Sequence, residues 1–302
     1  MRHTLAMPTL AGPPILILGI TQRCGGNFLF DLIRHHPDCR PPAPIREDFL
    51  LSQAPLLEEY ARRVVARWDP EWGVDSEAEV NLLAHLGEGA LSFLGKYVET
   101  GRIVSRTPGV ESLGRFFKLF PSAKLVILVR DGRAVVESGV RSFGWDREAA
   151  IRHWAAAAVT IREFQAAHAD ERDRFSVVRY EDLYTDTETE LRKLFRVLEL
   201  DPEVYDFGAV SELPVHGSSD LAFEIAGRVH WKPVAKTSAF DPLSRYGHWG
   251  RAEHERFNHL AGEALRQFGY VGQRFPGGQL AWAIRNRALD AIGSLRRLLR
   301  SR

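Results

Sequence analysis

Cysteine is nearly missing from this sequence: two in 302 residues, Cys24 and Cys39, with no CxxC pair. That excludes a disulfide-stapled secreted fold and leaves no zinc-type ligand spacing. No apolar run approaches the roughly 20 residues needed to span a bilayer. The first fourteen residues lack the basic start and apolar stretch of a secretory leader, so a cytoplasmic location is expected. Net charge is nearly missing too, at +1 from 40 Lys+Arg against 39 Asp+Glu. A broad nucleic-acid-binding face is therefore not expected. What remains is ordinary globular composition, 45% hydrophobic and 26% charged, with no internal repeat or low-complexity linker. The length suits one large domain.

The little net charge there is sits unevenly. Residues 281–302 hold six arginines against one aspartate, a local +5 that leaves −4 on the rest. In that tail Ile284, Ala288, Ala291/Ile292, Leu295 and Leu298/Leu299 recur at helical spacing, with arginines around the remaining circumference. This is the pattern of a basic amphipathic helix, able to touch an anionic membrane, a partner or an acidic substrate. The blander reading, a helix packed on its own domain with a solvated basic face, is the one preferred from sequence.

Short β-type runs alternate with helix-like stretches, which predicts an α/β fold with a parallel sheet flanked by helices. Residues 14–19, 102–105, 124–129 and 175–178 read as strands. Amphipathic runs follow the first three, at 27–36, 110–120 and 131–141. Helical insertions are expected at 56–68, 77–97 and 147–168. Residues 211–249 are rich in Gly, Pro, His and aromatics with little periodicity, which suits a long functional loop or lid. A single domain is expected, with its core at about 14–270 and the basic helix beyond it.

The first strand runs through Gly19-Ile20-Thr21-Gln22-Arg23-Cys24-Gly25-Gly26-Asn27-Phe28 into a helix. Such a junction presents unpaired N–H groups and the positive end of a helix dipole, a natural anion site. Gly25 and Gly26 permit close backbone approach, and Arg23 adds a fixed cation. The competing reading is a plain strand–helix turn with a surface arginine. It is not a nucleoside-triphosphate loop, because GxxxxGK[ST] would need Gly, Lys and Ser/Thr where Cys24, Gly25 and Gly26 stand. A dinucleotide GxGxxG is missing as well.

The strand at 124–129 runs into Arg130-Asp131-Gly132-Arg133-Ala134, with Ser138 two helical turns on. Arg130 lies at the carboxyl strand edge where open α/β sheets bind ligands. With Ser138 it could grip a second phosphate well away from the first loop. The alternative is an Arg130–Asp131 helix cap with Ser138 a plain helix residue.

Together, strand–Arg-x-Gly loop–helix and strand–RDxxxxxxS resemble the sulfotransferase family, whose donor is 3′-phosphoadenosine 5′-phosphosulfate. The resemblance extends to Arg106-Thr107-Pro108, Phe120-Pro121-Ser122-Ala123-Lys124 and Arg179-Tyr180-Glu181-Asp182-Leu183. RDGRA, His36-Pro37-Asp38, Lys232-Pro233-Val234 and Ser244-Arg245-Tyr246 are similar to the tyrosylprotein and bacterial branch. It implies a P-loop-like fold and in-line sulfuryl transfer to an acceptor hydroxyl, most simply of a small molecule. Adenosine 3′,5′-bisphosphate would be the other product.

By this resemblance Arg23, Cys24, Gly25, Gly26, Asn27 and Phe28 wrap the 5′-phosphosulfate, and Arg130 and Ser138 bind the 3′-phosphate. Tyr180 and Arg245 fall near the nucleotide, and Arg23 and Arg106 are the cations of the transfer step. The usual loop has serine at Cys24 and threonine at Gly26, so two hydroxyl donors are lost here. Cys24, beside Arg23 at a helix N-terminus, is also a place where a thiol pKa can fall. Pro108 stands where the cytosolic branch has a histidine; in the tyrosylprotein-like branch a glutamate follows an HPxxR segment, and by that resemblance Glu47, after His36-Pro37-Asp38-Cys39-Arg40, is the expected base. Asp48, His216, His230 and His248 are its rivals. Trp68, Trp72, Phe143, Trp145, Trp231 and Trp249 fall in segments that would flank the cleft in this family, although an isolated tryptophan is more often a core residue. A phosphotransferase and a nucleotide-binding protein without catalysis are the competing functions.

Overall fold

The computed structural model describes residues 12–210, 213 and 241–300, with backbone alone from 294 onward. Five strands form its centre: β1 (Ile15–Gly19), β2 (Cys39–Arg40), β3 (Arg102–Thr107), β4 (Lys124–Val129) and β5 (Phe175–Arg179). All pair in parallel, in the order β2-β3-β1-β4-β5. Between β1 and β4 come α1 (Gly26–Arg34), α2 (Ala54–Val65), α3 (Ala78–Gly95) and the short α4 (Phe116–Leu119). Then follow α5 (Gly132–Phe143), α6 (Arg147–Ala167), α7 (Tyr180–Thr185), α8 (Thr187–Leu198) and α9 (Phe207–Val210). The chain ends in α10 (Arg251–Gln267) and α11 (Gln279–Arg300).

β1 and β4 are buried at every residue, which is why both read as nearly unbroken apolar runs rather than alternating ones. Each enclosed Ile, Leu or Val there contributes about 1.5–3 kcal/mol of burial. From β1 the chain builds β2 and β3 on one side, then crosses to β4 and β5 on the other. The direction of connection therefore reverses at the carboxyl end of β1, where open α/β sheets form their ligand crevice.

Two expectations shift, and one strand has no counterpart in the sequence reading. Residues 110–120 do not form one helix: they break into a 3-10 turn, Leu113–Arg115, and the four-residue α4, entered at Ser112 with φ 64°. β2 is too short to show a sequence period. α11 forms as expected and packs on α10, but by its polar side: Asn286 is buried while Leu280 and Ile284 are 76% and 60% exposed. No described helix is long and apolar enough to cross a membrane. Most of the stretch expected as a loop or lid, with His216, His230, Trp231 and Lys232-Pro233-Val234, lies outside the described residues.

Candidate active site

The turn after β1 is shaped by two left-handed residues, Arg23 at φ 69° and Gly25 at φ 98°. A Cβ on Gly25 would fall 2.3 Å from Tyr180 Cδ2, so glycine is required there for space as well as for conformation. The first turn of α1 then lines a cleft of about 330 Å³, within the usual range for small-molecule sites. The structure brings the expected base, cations and nucleotide-binding residues to this one cleft. Arg23, Cys24, Gly25, Gly26, Asn27, Phe28, Glu47, Arg106, Arg130, Ser138, Tyr180 and Arg245 all line it. Thr21, Gln22 and Thr107 line it too; they stand inside the segments quoted above, but no role is read for them from sequence.

At one end Arg130 leaves β4 with its guanidinium 4.3 Å from the centre of the Tyr180 ring. It donates through Nη1 to Arg23 O at 3.1 Å and through Nη2 to Pro242 O. Its Nε is buried with no hydrogen-bond partner among the described residues. Arg23 Nε in turn donates to Ser138 Oγ at 3.0 Å. The first loop and the RDxxxxxxS segment are thus directly bonded, not well apart as the sequence suggested. Asp131 caps α5 by accepting from Arg133 N at 2.9 Å. It also pairs with the Arg133 guanidinium at 3.0 and 2.6 Å, both residues buried. Of RDGRA, then, Arg130 serves the cleft while Asp131 and Arg133 hold its frame.

At the other end stand Glu47 and Arg106, with Oε1 and Nη2 3.9 Å apart. Arg106 comes from β3, where side chains alternate. Ser105 and Thr107 point the other way and donate to Asp48 Oδ2 and Oδ1, the second at 3.0 Å. Asp48 also accepts from Leu50 N at 2.9 Å, and its own amide donates to Arg106 O at 3.1 Å. Burial pushes the Asp48 carboxyl up, against these hydrogen bonds. Asp48 is therefore a clamp that seats the loop, and its neighbour Glu47 is the carboxylate in the cleft. Burial pulls Arg106 down from its ordinary value, opposed chiefly by Glu47, yet a guanidinium remains a cation at neutral pH. Its Nε donates to Arg46 O at 3.2 Å, and it lies 5.0 Å from the Phe30 ring centre.

A model of the sulfotransferase family matches residues 13–204, nearly two thirds of the chain. The chain belongs to the sulfotransferase family. It is similar to a protein-tyrosine sulfotransferase of Drosophila melanogaster, 25% identical over 198 residues, which are 62% of this chain. The chain spans 38% of that relative's length. Solved structures that resemble it include the sulfotransferase domain from the curacin biosynthetic pathway, at TM-score 0.49 and 16% identity. That likeness covers 86% of this chain and 99% of the domain. A sulfotransferase from Alicyclobacillus acidocaldarius gives TM-score 0.48 at 16% identity, over 90% of this chain and 99% of that one.

Within this sulfotransferase-family cleft the two departures in the loop differ physically. Cys24 is buried, and a Cβ on Gly19 would fall 2.5 Å from its Sγ. Burial pushes the thiol up, against the Arg130 charge, so the lowering that a helix N-terminus can give is not found. Desolvation outweighs the helix N-terminus here. A Cβ on Gly26, by contrast, would meet nothing within 4 Å. His248 does not line the cleft; its Nε2 lies 3.2 Å from Glu137 Oε1. Of the aromatic candidates within the described residues, Phe143 lines the cleft, with the Arg23 guanidinium 5.3 Å from its ring centre. Trp249 is buried and donates to Glu137 at 2.8 Å, Trp145 packs on Phe143 at 5.9 Å, and neither Trp68 nor the exposed Trp72 reaches the wall.

Proposed function

We propose that this protein transfers a sulfuryl group from 3′-phosphoadenosine 5′-phosphosulfate to a hydroxyl, that of a small molecule, in the cytoplasm. The observation that carries the reading is the pairing of Glu47 with Arg106 in the same cleft as Arg130 and Ser138. The residues present fit the donor. The cleft sets cations beside both a helix N-terminus and a carboxylate, and the buried Arg130 Nε is a donor with no acceptor among the described residues.

The bound donor supplies an activated sulfuryl group and a stable leaving nucleotide. The chain's own residues do the rest. Arg130 and Ser138 hold the 3′-phosphate, Tyr180 and Arg245 border the nucleotide, and the Arg23–Phe28 loop receives the 5′ end. Glu47 accepts the proton of the attacking hydroxyl. Arg106 and Arg23 neutralise the charge that grows on the sulfuryl and bridging oxygens; neither can act as an acid at working pH. The aromatic wall at Phe143 suits an acceptor with an apolar body.

Calorimetric titration with adenosine 3′,5′-bisphosphate, beside ADP and ATP with magnesium, tests this directly. Preference for the bisphosphate is expected. Preference for ATP would turn the reading toward a phosphotransferase. Bisphosphate binding without turnover across a broad panel of hydroxyl acceptors would turn it toward a protein that binds nucleotide without catalysis.

A further inference from the structure

An amphipathic helix docked on its own domain buries its apolar face, because that is where the free energy lies. α11 does the reverse. Projected at about 3.6 residues per turn, Leu280, Ile284, Ala288, Ala291 and Ile292 share one side, with Asn286 and Asp290 opposite. Leu280, Ile284 and Ile292 are 76%, 60% and 48% exposed, while Asn286 is buried at 3%.

The polar side is fixed by specific bonds. Asp290 accepts from Arg152 Nη2 at 2.7 Å and from Arg256 Nη2 at 2.8 Å, and meets His259 Nε2 at 2.7 Å. Arg256 Nη1 donates to Asn286 O at 3.0 Å, and Asn286 Nδ2 donates to Glu255 O at 3.2 Å. Arg256 is itself buried and held by Glu148 at 3.1 and 2.7 Å. The helix is thus pinned by its back, and its apolar stripe takes no part in holding the fold.

What covers that stripe is indicated by its borders. Exposed Arg285 and Arg287 fall on its two edges, and the sequence extends the stripe through Leu295, Leu298 and Leu299, with Arg296 continuing one edge. At 22 residues the helix is about 33 Å long, too rich in arginine to cross a bilayer and well shaped to lie on one. We propose that the outward face of α11 docks on an anionic lipid surface: the stripe enters the acyl boundary and the flanking arginines meet headgroup phosphates. A second copy is disfavoured by charge. Pairing two such tails sets +5 against +5, whereas a negative leaflet attracts each arginine locally even though the rest of the chain carries −4. This rests on the tail alone and is independent of the sulfuryl-transfer reading.

The test is co-sedimentation of the full chain with phosphatidylcholine vesicles, with and without phosphatidylglycerol, at low and high salt. Binding is expected to need phosphatidylglycerol and to weaken with salt. The double variant Ile284→Glu/Ile292→Glu alters exposed positions, so its melting temperature should match the parent while vesicle partitioning falls by about tenfold or more. Arg287→Glu should weaken anionic-vesicle binding without unfolding the chain. No binding to anionic vesicles at low salt overturns the proposal, as does undiminished binding by the double variant. A concentration-dependent dimer, seen by sedimentation equilibrium and abolished by the same variant, would give the face to a second copy instead.

Discussion

The two ends of the cleft are built to different tightness. Around Arg130 the groups interlock: Arg130 lies over Tyr180 and bonds Arg23 O, Arg23 bonds Ser138, and Gly25 fits against Tyr180 with no room for a methyl group. Around Glu47 the pair to Arg106 spans 3.9 Å, beyond hydrogen-bond range, and the Glu47 side chain is 35% exposed. A site whose groups are already ordered loses little freedom when its ligand arrives. The Arg130 end therefore suits a ligand of fixed structure. On the reading proposed above, the more open Glu47 end is where the attacking hydroxyl would enter, so the two ends would divide recognition from chemistry.

The largest effect that would test this contrast is at the open end. Glu47→Gln keeps shape and volume but cannot take a proton, so kcat should fall by about 10²–10⁴ with bisphosphate affinity unchanged by calorimetry. Asp48→Asn is the matched control and should keep most of the turnover, since Asp48 does not line the cleft and its oxygens accept from Ser105 and Thr107. If Asp48→Asn were the inactive one, the assignments of base and clamp would be exchanged.

At the closed end the expected change is in binding. Arg130→Ala should weaken the bisphosphate by about 2 kcal/mol, roughly thirtyfold, the scale of charge-assisted bonds. Some of that loss comes from unbracing Arg23 O and Pro242 O, and ADP should share that part. The reporter of 3′-phosphate recognition is the difference between the two nucleotides. Equal losses would reduce Arg130 to a brace.

Legibility in the sequence followed the same division. β4 and β1 showed in the sequence because burial on both faces demands continuous apolar residues. Arg23 and Arg130 showed because each follows a strand beside glycine or helix signals, whereas Arg106 and Arg245 were read only through the family resemblance. Less visible was anything set by tertiary choice. His36 lies in a segment used above for family likeness, yet it is fully buried: it accepts from Asp38 N at 3.2 Å and donates to Asp201 O at 3.0 Å. It is a joint between α1 and the chain after α8. The outward turn of α11 was hidden for a similar reason. Its spacing predicts a face, but the polar surface awaiting it is assembled from Arg152 of α6 together with Arg256 and His259 of α10, which no local pattern records.

The smallest effect separates the two loop departures. Gly26 looks onto open space, so Gly26→Ser places a hydroxyl where nothing must move, and one added hydrogen bond should tighten the bisphosphate by about 1 kcal/mol. Part of that gain could be offset if the helix's first turn were strained, but Gly26 is not among the positive-φ residues. Cys24 lies beneath the loop against Gly19, where a hydroxyl in place of the thiol stays enclosed. Cys24→Ser should therefore leave affinity within about 0.5 kcal/mol of the parent, below the usual worth of a hydrogen bond. Calorimetry on both variants reads the difference. A gain at Cys24 and none at Gly26 would mean that the loop turns its residue-24 side chain toward the ligand, and the ordered end of the cleft would then be less fixed than its interlocking contacts imply.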